Sequence, residues 1–113
     1  MFTGSVKDRI QQMKLIAMER ELSGHSGDAF QPYLKAEAAH VWQLYQAGIV
    51  RELYFRADQH TAVIMMECAD EVDARQTLES FPLVKAGLID FDIVPLAPYP
   101  GFARLFETAS MRL

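Results

Sequence analysis

Cysteine is nearly absent: the 113 residues hold one, Cys68. A single thiol closes no disulfide within the chain, so no oxidising compartment is required and a reducing, cytoplasmic one is expected. Histidine is sparse as well, with His25 and His60 in loop-like stretches and His40 far from both. No Cys or His pair stands at ligand spacing, so no metal site is expected. Cations are outnumbered, 11 Lys and Arg against 15 Asp and Glu, for a formal net charge of −4. They do not run together either: Lys7, Asp8 and Arg9 mix signs, as do Arg51 and Glu52. Affinity for nucleic acid rests on clustered Lys and Arg, so no nucleic-acid partner is expected. No apolar run is long enough to span a bilayer, and no signal-peptide core opens the chain, so no membrane partner is expected. A phosphate-binding glycine loop, a nucleophile elbow and a zinc-protease motif are missing, and no cofactor is expected.

What is present is ordinary globular material, 50% hydrophobic and 23% charged. Residues 1–12 are polar and read as an N-terminal extension or a cloning remnant, in which Ser5 and Asp8 suit the start of a short helix. Residues 13–113 read as a single domain with a C-terminal tail. Residues 13–20 form a short apolar run, expected as a strand. Gly24 and Gly27 break it. Asp28 with Gln31 makes a capping box and Pro32 suits a first turn, so a helix is expected from there to Gly48. Its apolar stripe is Phe30, Leu34, Ala38, Val41 and Tyr45. Residues 49–57 and 61–69 read as a hairpin turning at Asp58, Gln59 and His60. Asp70 caps a second helix, whose inward stripe is Ala74, Leu78 and Phe81 and which Pro82 stops. Residues 88–96 form the last strand, with Pro95 marking an edge. The order β-α-β-β-α-β predicts an α+β fold, the ferredoxin-like arrangement with two helices on one face of a four-stranded antiparallel sheet.

That sheet is apolar on both faces. Ala62, Ile64, Met66 and Cys68 alternate with Val63 and Met65; Leu15 and Ala17 alternate with Ile16 and Met18. Two short helices cover one face, and a wet second face exceeds the apolar patch usual on a monomer, so a homodimer or larger assembly is expected. The aromatic tail, with Tyr99, Phe102 and Phe106, either clasps a neighbour or folds back over its own sheet.

Residues 80–102, SFPLVKAGLIDFDIVPLAPYPGF, resemble the end of the muconolactone isomerase-like family of the dimeric α+β barrel superfamily. The shared features are Pro82-Leu83, the acidic pair Asp90 and Asp92, Leu96 and Pro100. Residues 36–56 and 62–70 resemble relatives of the same isomerase, so the likeness covers about residues 13–106. It implies a barrel built from two protomers, a small-molecule cleft between sheet and helices, and a cofactor-free isomerase that shifts a lactone double bond by proton transfer. The chain departs from the family at Tyr99-Pro100, where the enzyme carries His-Pro; a tyrosine shuttles a proton less readily near neutral pH.

Several residues are candidates for such chemistry. Asp90 and Asp92 share one side of the last strand, and Glu67 points the same way on the third, so one of the three can serve as a general base. The structural alternative pairs them with Arg51, Arg56 or Arg20 across a dimer interface. His40, some 120° from the core stripe, stands beside Tyr33 and Glu37 as a candidate proton shuttle or as a half-exposed surface residue. Tyr54 with Arg56 is suited to hold a substrate carboxylate, with Arg51 and Tyr99 as further binding candidates; edge protection by charge is the alternative. Trp42 reads as packing and Cys68 as a buried apolar residue. The first functional reading is a cofactor-free isomerase moving a proton on a small lactone or carboxylated ring. The others are a non-catalytic small-molecule-binding or assembly protein and a cofactor-free oxygenase.

Overall fold

The computed structural model describes residues 12–107. The capped turn expected from Ser5 to Asp8 lies outside them. Strand β1 runs Met13–Glu21, helix α1 Leu34–Gln46, strands β2 and β3 Val50–Phe55 and Ala62–Cys68. Helix α2 follows at Glu71–Glu79, the single turn α3 at Pro82–Lys85, and strand β4 at Ile89–Pro95. One antiparallel sheet results, ordered β2-β3-β1-β4. The α+β architecture is thus as expected, and it is consistent with a ferredoxin-like fold. β4 is an edge strand, where Pro95 leaves no central ladder bond unmade.

Alternation decides the core. Leu15 and Ala17 of β1, Ile64, Met66 and Cys68 of β3, and Ile89 and Phe91 of β4 face the helices and are buried. Ala74, Leu78 and Phe81 close over them, each 0% exposed, so the stripe expected on the second helix is the observed one. On β2 a bulge falls between Val50 and Glu52. The extra residue, Arg51, resets the alternation, so that Val50 and Leu53 both face the helices.

The first helix corrects the sequence reading twice. Asp28 does not cap it: Gly27–Ala29 and Gln31–Tyr33 are two separate 3-10 turns, and the α-helix starts at Leu34 with no side-chain cap. Pro32 sits in the second turn, where its missing N–H breaks no helical bond. The inward face is also rotated from the expected stripe. Glu37, His40, Val41 and Leu44 are the partly buried positions, whereas Leu34 and Tyr45 are 43% and 52% exposed. The end at Gly48 is as expected. Gly48 has φ 82° and donates to Tyr45, and Ile49 donates to Leu44, closing a left-handed cap.

Pro82 does more than stop the second helix. Phe81 turns extended and Pro82 begins α3, which ends on Gly87 (φ 78°) with the same pair of bonds, Gly87 to Val84 and Leu88 to Leu83. This turn directs the Leu83 amide and side chain back under α1. Beyond β4 the tail makes a 3-10 stretch, Gly101–Phe106. Its described part, to Glu107, does not fold back over the sheet: Tyr99 and Phe106 are 69% and 77% exposed. A Cβ on Gly101 would clash with the Tyr99 hydroxyl, so the glycine is what lets that ring lie along the tail. On the sheet's outer face Ile16, Met18, Val63 and Met65 stay half-buried and Val94 is exposed.

Candidate functional site

Between the sheet and α1 lies a cleft of about 490 Å³, within the range of small-molecule pockets. Its floor is Ala62, Ile64 and Phe91 from the sheet, its far wall Phe81 and Leu83, its roof Leu34, Ala38 and Val41 of α1. Leu53, Tyr54 and Phe55 of the edge strand form the open side. Two charged side chains enter this apolar space, Glu19 and Glu37.

The backbone puts both there. Glu19 continues the inward alternation of Leu15 and Ala17 at the point where β1 outruns the helices. Glu37 is one helical turn before Val41, on the inward face of α1. Each is anchored by one backbone amide: Ala62 N–H donates to Glu19 Oε1 at 2.8 Å, and Leu83 N–H donates to Glu37 Oε1 at 3.0 Å. Oε2 of each carboxyl has no hydrogen-bond partner among the described residues. Burial pushes the Glu19 carboxyl above its ordinary value, against the Ala62 amide that pulls it down, with Glu21 adding repulsion and His60 opposing it. Burial also raises Glu37, the Leu83 amide opposes this, and the negative charge of Glu19 adds to the rise. Two carboxyls that resist ionising together in an apolar cleft are the arrangement from which acid and base roles arise.

Glu19 also borders a second, polar depression of about 570 Å³, shared with Arg20, Arg56, His60 and Thr61. The Thr61 hydroxyl is buried there and bonds to no group among the described residues.

The candidates read from sequence fall elsewhere, with one exception. Tyr54 lines the cleft mouth, although its hydroxyl donates to Glu52 at 2.8 Å, which raises its own proton affinity. Asp90 and Asp92 stand on the outer side of edge strand β4. Arg20 lies 3.6 Å from Asp90 and 3.4 Å from Asp92, and Arg75 of α2 donates to Asp90 at 3.1 Å. The pairing partner is thus Arg20 of the same chain, together with Arg75. Glu67 does not join these acids. It pairs in register with Lys14, whereas Asp90 pairs with Arg20, six residues along β1. Arg56 is held by Asp58 through two bonds of 2.9 and 2.7 Å, and Arg51 sits in the bulge beside Trp42 and Tyr45. Tyr99 meets Phe102 edge to face on the exposed tail.

His40 faces inward, not onto the outer shoulder. Its Nε2 lies 2.7 Å from Ser80 Oγ, and its ring meets Phe81 edge-on at 5.3 Å. Ser80 already donates to the Thr77 carbonyl at 2.5 Å, so His40 Nε2 is the donor and carries the proton. Burial, then Lys85, lowers the His40 pKa, so the ring is neutral and ties α1 to the end of α2. Cys68 is buried, and desolvation, with Asp73 and Asp70, pushes its thiol up to about 11, which leaves it protonated and unreactive at neutral pH. Among the described residues no three His, Cys, Asp or Glu side chains gather to hold a metal ion, and no helix is long and apolar enough to cross a membrane. No family model matches the chain, and no curated protein matches it.

Proposed function

We propose that the chain is a cofactor-free isomerase that moves a proton on a small lactone, with Glu19 and Glu37 as its acid–base pair. The observation that carries this reading is the two amide-anchored carboxyls that enter one apolar cleft and are raised by it. In the proposed step the ionised carboxylate takes a proton from the carbon beside the lactone carbonyl. The C–H electron pair becomes part of a dienolate, and the protonated partner returns a proton at the far carbon of the conjugated unit. One proton leaves and one arrives, so the step balances with no co-reactant. The two carboxyls end with their protonation states exchanged, and return of one proton from the base to the acid, directly or through solvent, resets the pair. The likeness of residues 80–102 to the muconolactone isomerase-like family supports proton transfer on a lactone ring and says nothing of the charge the substrate carries.

We further infer that two copies pack outer face against outer face as a dimeric α+β barrel. The half-covered Ile16, Met18, Val63 and Met65 and the exposed tail aromatics support this.

The test of the proton-transfer reading is deuterium uptake from D2O by a butenolide lactone, followed by NMR. The wild-type chain is expected to catalyse uptake, and Glu37→Gln and Glu19→Gln each to lower it about 100-fold or more. Its rate is expected to rise with pH along a limb lying above the ordinary carboxylate value of about 4.3, because the base must first ionise and the cleft opposes that. Wild-type uptake no faster than buffer would remove the proposal.

A further inference from the structure

The charge lining the cleft narrows what it accepts, given the reading of this cleft as the site. Glu19 and Glu37 are the ionisable groups that approach its interior, and among the described lining residues there is no Lys, Arg or His. Outside the lining, the His60 ring packs on Phe55, His40 is bonded to Ser80, and the nearby arginines are engaged on other surfaces. Arg56 is clamped by Asp58, Arg20 is turned to Asp90 and Asp92 on the outer face, and Arg75 bonds Asp90 and the Phe91 carbonyl. A carboxylate entering between Phe81, Phe91 and Val41 would lose its hydration against apolar walls and find no cation there. It would also meet one or two negative charges at short range, where a low local dielectric magnifies repulsion. An uncharged carbonyl compound meets neither cost, and its oxygen can accept a hydrogen bond from whichever carboxyl is protonated.

We infer that the cleft selects an uncharged ring and rejects the same ring carrying a carboxylate, with Glu19 and Glu37 as the residues that set this specificity. Tyr54 and Arg56, which the sequence suggested as a carboxylate clamp, do not supply one: the Tyr54 hydroxyl is on Glu52 and the Arg56 guanidinium is on Asp58. The substrate class is therefore a neutral lactone or related cyclic carbonyl compound.

A pair of near-identical shape tests this: benzamide and benzoate, titrated into the full ¹⁵N-labelled chain at pH 7. The Ala62 and Leu83 amides, which hold the two carboxyls, report occupancy of the cleft. Benzamide is expected to bind at least about tenfold more tightly than benzoate, and the double variant Glu19→Gln with Glu37→Gln, which removes the repulsion and keeps the apolar walls, to reduce that ratio by about threefold or more. Glutamine keeps the oxygen that accepts from each amide, so the fold is retained, which the amide spectrum verifies. Benzoate binding as tightly as benzamide would overturn the inference, as would a preference undiminished in the double variant or an absence of shifts at both amides with either compound. The outcome is separable from the proton-transfer reading. A neutral preference without deuterium uptake leaves the specificity standing and removes the isomerase; uptake with benzoate preferred does the reverse.

Discussion

Single side chains decide what the cleft is. Glu19 and Glu37 each occupy a position that packing alone would give to an apolar residue, one on the inward face of β1 and one on the inward face of α1. Holding them there carries a stability cost whose sign follows from linkage. Both carboxyls bind protons more tightly folded than unfolded, so the stability they contribute is complete below the ordinary carboxylate range. It is lost as pH rises through their raised values. Glu37→Gln keeps the bond from Leu83 and removes the charge. Thermal melts are expected to show the variant more stable than its parent at pH 7, by under about 1 kcal/mol because the side chain is only half-buried, and equal to it below about pH 4. A parent that is the more stable of the two at pH 7 would contradict this placement. His40 has the opposite sign: its lowered value means that stability present near neutrality falls as acid protonates the ring. Glu19 was open to detection from sequence, since strict alternation from Leu15 and Ala17 carries it to the core side. Asp90 and Asp92 drew notice first because two acids in one strand are conspicuous, yet Arg20 and Arg75 occupy them.

At the scale of elements, the local signals worked where a side chain or a glycine fixes the backbone. Asp70 accepts from the Asp73 amide at 2.8 Å, and Asp73 in turn accepts from Ala69 at 3.0 Å, so α2 begins where its sequence says. Asp70→Ala is expected to cost about 1 kcal/mol in chemical denaturation, with no change in the slope of the transition. A loss below a few tenths of a kcal/mol would show that Asp73 alone suffices. The signals failed at α1. Asp28, Gln31 and Pro32 have the residue types of a helix start, but they are used in two short 3-10 turns, and the true start at Tyr33 has no side-chain cap to announce it. The stripe on α1 was misplaced for a related reason. The helix buries no residue completely, so its apolar positions divide between the cleft and solvent and carry little periodic information. The β2 bulge at Arg51 was likewise invisible, because charge at an edge strand is common whether or not the strand is regular.

Among the described residues, the helices cover one face of the sheet and leave the other uncovered. The four strands, their antiparallel order and the buried stripe under α2 were legible because alternation and helical spacing agree there. The cleft was less so, because it is made by residues distant in sequence, Glu37 on α1 meeting the amide of Leu83 on α3. We propose that a second copy of the sheet covers the outer face, with its Ile16, Met18, Val63 and Met65. Sedimentation velocity of the full chain at micromolar concentration tests that claim most directly, with Met65→Glu as the companion variant. The expected result is a species of twice the chain mass for the wild type and a folded monomer for Met65→Glu. A wild-type chain that sediments as a monomer throughout the micromolar range would contradict it.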